Sequence, residues 1–132
     1  MKVKTAGSIL AYNFEKEKLL ALETVCRKQG IRVKVVEPTD FNKPVGAMMG
    51  FDIPGYTGTD YEFGDEMMVL YNIAGSALDK FLKALRTAEI SVPLKAVLTA
   101  SNQGWIPATL AAELKEEHEM MRKTKTLKHD NN

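Results

Sequence analysis

Short apolar runs alternate along this chain with longer stretches in which apolar residues recur every three or four positions. This alternation is typical of an α/β sheet, in which strands and helices follow one another. The apolar runs predict four strands, over residues 8–12, 31–36, 67–71 and 92–99. The periodic stretches predict helices between the strands, and Pro107 suits the first turn of a last helix.

The pattern within each predicted strand favours one arrangement of the sheet. The first and third strands are continuously apolar, as expected of strands covered on both faces, whereas the second and fourth alternate and suit an edge. With right-handed crossovers, this predicts the strand order 2-1-3-4 in a mostly parallel sheet with helices on both faces. The predicted fold class is therefore a single three-layer α/β domain with a shortened flavodoxin-like sheet.

Two segments stand outside this regular alternation. Residues 123–132 are predicted to form a basic, flexible tail after a domain that spans residues 1–122. Residues 50–65 form an unusually long connection rich in glycine and aromatic side chains. Two interpretations of these aromatic residues stay open: packing on a partner or a second copy, and packing on their own domain. The residues are Phe51, Tyr56, Tyr61 and Phe63.

Composition and charge narrow the class of protein. The chain has 132 residues, of which 45% are hydrophobic and 27% charged, as in an ordinary single domain. Its formal net charge of +1 gives no basic excess for phosphate contacts, so no nucleic-acid partner is predicted. No apolar run is long enough for a signal peptide or a membrane helix, so we expect a cytoplasmic protein with no membrane partner.

Cys26 is the only cysteine, so an intramolecular disulfide and a cysteine metal cluster are both excluded. It lies on the apolar stripe of the first helix and is predicted to be buried and inert. His118 lies in a charged run, and the residue four positions later is Arg122 rather than a second ligand. No metal or cofactor is predicted. No phosphate loop, dinucleotide fingerprint, receiver-domain acid set or nucleophile elbow is present either.

In an open parallel sheet, ligands bind beyond the carboxyl ends of the strands, near the point where the strand order reverses. Polar and aromatic residues that follow the four strands are therefore the candidate ligand-binding residues. The repeated Tyr-Asn pair indicates either a duplicated strand–turn–helix unit or a coincidence, and the asparagines also suit helix caps and turns. The candidates are Tyr12, Asn13, Asp40, Asn72, Thr99, Ser101, Asn102 and Trp105.

Several stretches resemble a known family. The strand segment 92–99, followed by Asn102, Trp105 and the charged run 113–119, is similar to the end of a bacterial family called domain of unknown function 3783. The stretches at 12–14 and 45–46 are similar to it too. The family has no established activity, so the resemblance implies a fold and a bacterial cytoplasmic setting, and it supplies no catalytic residues.

Three functions are therefore kept open. The first is a non-catalytic binding or regulatory module that recognises a small molecule or another protein. The second is an enzyme of unfamiliar type that uses Asp40, Thr99 and Ser101 in one strand-end crevice. The third is a homodimer held through the fourth strand or the aromatic connection. Trp105 is expected to be at least half buried, either as a clamp between helix and sheet or as a stacking wall for a ligand.

Overall fold

The computed structural model describes residues 7–54 and 62–130 of the chain. In chain order the elements are β1 (Ser8–Tyr12), α1 (Lys16–Lys28), β2 (Arg32–Val35), a 3-10 turn (Pro38–Asp40), α2 (Val45–Met48), β3 (Met67–Tyr71), α3 (Ser76–Thr87), β4 (Leu94–Val97) and α4 (Pro107–Asp130).

The four strands form one sheet in the order β2-β1-β3-β4, which confirms the predicted order. β1 is parallel to β2 and β3 is parallel to β4, so the sheet is mostly parallel. The central pair, β1 and β3, is antiparallel, with Leu10 opposite Val69 in the middle. The two strands of each half therefore belong to one βαβ unit, and the two units meet at the antiparallel pair of β1 and β3.

The antiparallel junction corrects the flavodoxin-like expectation, in which the carboxyl ends of β1 and β3 would meet. Tyr12 at the end of β1 lies opposite Met67 at the start of β3, and Ser8 lies opposite Tyr71. The burial pattern of a strand depends on whether helices cover both of its faces, so it showed which strands are central. It carries no information about the direction of a strand. The long connection between β2 and β3 allows β3 to enter the sheet from either end.

Helices cover both faces of the sheet, as predicted. On one face, α1 and α3 bury Leu22 and Phe81 against the strands, and on the other, α2 and α4 bury Val45 and Leu110. Fully burying one such side chain contributes about 1.5–3 kcal/mol. The edge strands are only partly covered, and Val35 is 42% exposed and Val97 48% exposed.

The aromatic connection packs on its own domain where it is described. Phe63 is buried in a cluster with Tyr12 and Phe41, with ring centroids 5.8 and 5.7 Å apart. Phe51 contacts Tyr71 edge to face at 5.2 Å. The other two aromatic residues, at positions 56 and 61, lie outside the described residues.

The last helix extends beyond residue 122, where the predicted domain ends. α4 continues to Asp130, through most of the segment that the sequence assigned to a tail. In the described part of the chain, no helix is both long enough and apolar enough to cross a membrane.

Candidate functional site

The antiparallel junction divides the predicted strand-end residues into two groups at opposite ends of the sheet. Tyr12, Asn13 and Asp40 follow β1 and β2 at one end, and the others follow β3 and β4 at the other end. The single crevice expected from a parallel sheet is therefore not formed. The five residues of the second group are Asn72, Thr99, Ser101, Asn102 and Trp105.

Asn13 holds the connection that leads into β3. Its backbone has a φ of 59°, a left-handed conformation that asparagine tolerates better than most side chains. Its Nδ2 donates to the carbonyl oxygens of Phe63 at 2.9 Å and Asp65 at 3.0 Å. α1 begins without a side-chain cap, with Glu15 at the N-cap position, so Asn13 is a turn former and not the expected helix cap.

Asn72 repeats this backbone conformation, with a φ of 59° after β3. The two Tyr-Asn pairs therefore stand at equivalent positions of the two βαβ units. This agreement between sequence, topology and backbone angle supports a duplicated unit over a coincidence.

Tyr12 is fully buried inside the aromatic cluster. Among the described residues its hydroxyl has no hydrogen-bond partner. Burial raises the pKa of this hydroxyl well above its usual value, and the negative charge of Asp40 raises the pKa further. Asp40 itself forms an ion pair with Lys43 at 2.8 Å. Tyr12 therefore remains a neutral core residue at physiological pH.

Asn102 is buried and its side chain binds the end of β4. Its Nδ2 donates to the carbonyl of Val97 at 3.0 Å, and its Oδ1 accepts from the N–H of Thr99 at 2.9 Å. The Asn102 N–H in turn donates to Thr99 Oγ1 at 3.1 Å. These three bonds fix the turn after β4, and they hold the residues that follow it in place.

A groove of about 390 Å³ lies between the edge strand β4 and the helix α4. Thr99, Ser101, Asn102 and Trp105 line it, so the structure brings four of the eight predicted residues together. Trp105 is partly buried and packs against the core, as expected. Its carbonyl oxygen accepts from the N–H of Val45 at 2.8 Å, which joins the groove to α2.

The rest of the groove carries more negative than positive charge. Glu113 and Glu117 line it from one face of α4, and Lys95 is the basic residue in its lining. Like charges four residues apart on a helix destabilise it by about 0.2–0.5 kcal/mol. Among the described residues, no ion pair involves either glutamate. The charged residues of the groove lining therefore carry a net negative charge.

These two glutamates were not predicted as site residues, because the charged run of the last helix has the composition of a solvated face. A signal was present: Glu113 and Glu117 alternate with Leu110 and Leu114, at spacings that keep all four close to the buried side of α4.

Two further hollows, of about 500 and 510 Å³, flank α3 on the opposite face of the sheet. Neither contains any of the predicted ligand-binding residues. The part of the chain that the structure describes contains no group of histidine, cysteine, aspartate and glutamate residues suited to a metal ion.

Residues 66–121 match the model of a domain of unknown function (DUF3783). This segment of the chain is therefore similar to that family. The DUF3783 segment begins just before β3 and ends within α4, so it contains the second βαβ unit and the whole β4–α4 groove. The similar stretches at 12–14 and 45–46 lie outside it. No curated protein and no solved structure matches the chain.

Proposed function

We propose that this chain is a non-catalytic binding module whose ligand is a small organic cation held in the β4–α4 groove. One observation carries the proposal. The groove brings an indole ring, two hydroxyl groups and two unpaired carboxylates to the same place, between an edge strand and a helix.

The residue types suit an amine or a guanidinium group attached to a short carbon chain. A cation over the face of a tryptophan gains about 0.5–1 kcal/mol at an exposed site and more when water is excluded. The carboxylates of Glu113 and Glu117 then act as counter-ions. Thr99 and Ser101 supply hydroxyl oxygens that accept hydrogen bonds from the N–H groups of the ligand.

The groove is also held in its shape before any ligand enters. Asn102 fixes the turn that carries Ser101 and leads to Trp105, and the carbonyl of Trp105 is bonded to α2. A preformed site loses less conformational entropy on binding than a mobile one. Binding also relieves the repulsion between the two glutamates, because the cation lies between them.

An enzymatic function would need Asp40 beside Thr99 or Ser101, and these residues follow strands that end at opposite ends of the sheet. Binding therefore agrees better with the geometry than catalysis does. The setting we propose is the cytoplasm of a bacterium, in keeping with the resemblance of the sequence and with a single buried thiol.

Trp105 is the only tryptophan, so its intrinsic fluorescence reports directly on this groove. Titration with agmatine, spermidine and butylamine is expected to give a saturable change for at least one of these cations, weakened by added salt. The double variant Glu113→Gln/Glu117→Gln is expected to bind about tenfold more weakly, since two charge contacts are lost.

The matched control is Glu116→Gln, on the same helix but outside the groove lining, which is expected to change the affinity by less than about twofold. Equal affinities for the double variant and the control would contradict the proposal. So would the absence of any fluorescence change with all three cations.

A further inference from the structure

The two edge strands of the sheet, β2 and β4, differ in how well they are protected against pairing with a further strand. At β4, the side-chain amide of Asn102 bonds the carbonyl of Val97 and the N–H of Thr99. An amide of a neighbouring strand would make the same two bonds. Asn102 therefore covers the outer edge of β4 at its carboxyl end, and it blocks the addition of another strand there.

The equivalent position in the first βαβ unit is an aspartate. Val35 of β2 pairs with Ala11, the fourth residue of β1, and Val97 of β4 pairs with the fourth residue of β3. The two valines therefore hold equivalent positions in their strands. Asn102 follows Val97 by five residues and Asp40 follows Val35 by the same number. An ionised carboxylate has no N–H to donate to a carbonyl, and Asp40 bonds Lys43 instead.

The outer edge of β2 is open in the part of the chain that is described. The N–H groups of Arg32 and Val36 donate inward, to the carbonyls of Gly7 and Ala11 at 2.9 and 3.0 Å. Because backbone groups alternate along a parallel strand, Val33 and Val35 direct their N–H and C=O groups away from β1. No hydrogen bond within residues 7–54 and 62–130 satisfies these four groups.

The side chains of β2 indicate what kind of strand fits this edge. Arg32 and Lys34 are exposed on one face, and Val33 and Val35 lie on the other. The ammonium group of Lys34 donates to the carbonyl of Met48 at 3.2 Å, and neither basic residue has a carboxylate partner among the described residues. A second copy of β2 would place basic side chains opposite basic ones, which destabilises a strand pair. An acidic strand would place opposite charges together instead.

We propose that β2 is a docking edge for an extended acidic segment of another protein, in which acidic residues alternate with β-branched apolar residues. The backbone groups of Val33 and Val35 bond the added strand, and Arg32 and Lys34 pair with its carboxylates. Glu37 is exposed just beyond β2 and would repel a carboxylate opposite it. The acidic residues of the added strand therefore lie opposite Arg32 and Lys34. This surface is separate from the β4–α4 groove, on the other edge of the sheet.

The test uses an acetylated and amidated peptide of four Glu-Val repeats, titrated calorimetrically into the full chain. Val35→Pro removes one outward N–H and is expected to weaken binding about tenfold. Proline is tolerated on an edge strand where the N–H faces outward. The matched control is Val97→Pro at the equivalent position of β4, which is expected to bind the peptide like the unmodified chain.

Two further variants keep the test decisive if Val35→Pro does not fold. Asp40→Asn places an amide at the position equivalent to Asn102, and it is expected to weaken binding although it removes a repulsive negative charge. Arg32→Glu/Lys34→Glu is expected to lose the Glu-Val peptide and to bind a Lys-Val peptide instead. Unchanged affinity in either variant would overturn the proposal, as would a dimer paired through β2 in sedimentation and amide-exchange measurements.

Discussion

The N–H of Gly46 donates to the carbonyl oxygen of Gln103 at 2.9 Å, and a side chain at position 46 would meet that oxygen at 2.6 Å. This close contact joins the start of α2 to the turn that follows β4. It therefore couples the two halves of the molecule next to the proposed ligand groove.

Gly46→Ala is expected to lower the free energy of unfolding by about 1–3 kcal/mol, because the backbone that blocks the new methyl group is held by the hydrogen bond. Urea denaturation measures the change. Gly104→Ala is the matched control in the same turn, where a methyl group meets nothing within 4 Å. Equal stabilities of the two variants would show that this contact is looser than the structure indicates.

Asn13 is expected to contribute through both its backbone conformation and its side chain. Asn13→Gly keeps the positive φ and loses the bonds to the carbonyls of Phe63 and Asp65, at a cost of about 1–2 kcal/mol. Asn13→Ala loses the same bonds and adds about 1 kcal/mol of strain in the left-handed conformation. Thermal or chemical denaturation of both variants separates the two effects, and an alanine variant more stable than the glycine variant would contradict the account.

The buried thiol of Cys26 gives a prediction about pH. Burial raises the pKa of Cys26 to about 12, and the charge of Glu23 contributes to the increase. The thiol of the unfolded chain ionises at about pH 8.5, while the native thiol keeps its proton. The free energy of unfolding should therefore fall as the pH rises from about 9 towards 12, by up to about 1.4 kcal/mol per pH unit from this group.

Cys26→Ala should lack this part of the slope, and the difference between the two chains isolates it from other titrating groups. Thiol labelling of the native chain at pH 8 is expected to be slow for the same reason. Rapid labelling, or identical slopes for the two chains between pH 9 and 11, would show that the thiol is accessible.

Trp105 packs against the core, as a clamp would, and it also lines the groove in which we propose that a ligand binds. Trp105→Ala is expected to lower the free energy of unfolding by about 3 kcal/mol, at the lower end for a truncated aromatic because the ring is only partly buried. A loss below about 1 kcal/mol would argue against the clamp. Trp105→Phe should recover most of the stability and leave cation binding weaker.

The sequence predicted the strands and their order well, because apolar runs and alternation depend on burial. Met67–Tyr71 was predicted with its observed bounds. The edge strands β2 and β4 lie within their predicted ranges and are one or two residues shorter at each end. The direction of β3 relative to β1 depends on the course of a long connection, and no local pattern encodes that course. For this reason the residues of the expected site lie at opposite ends of the sheet and not in one crevice.

Polar residues in turns were also difficult to interpret from the sequence. Asn102 was predicted to contact a ligand, yet its side chain is bonded to the backbone of β4. Local hydrogen bonding explains asparagine in such turns as well as ligand binding does, and only the geometry distinguishes them. Glu113 and Glu117 were missed because their relation to Trp105 depends on how α4 crosses the edge of the sheet.

The placement of every candidate residue depends on the antiparallel pairing of β1 and β3. The Hα protons of Ile9 and Leu70, and those of Ala11 and Met68, belong to pairs that are not joined by hydrogen bonds, where the two chains approach most closely. Nuclear Overhauser spectra of the labelled protein are expected to show strong Hα–Hα cross-peaks for both pairs. Their absence, with cross-peaks that match a parallel register instead, would contradict the account and return the strand-end residues to one crevice.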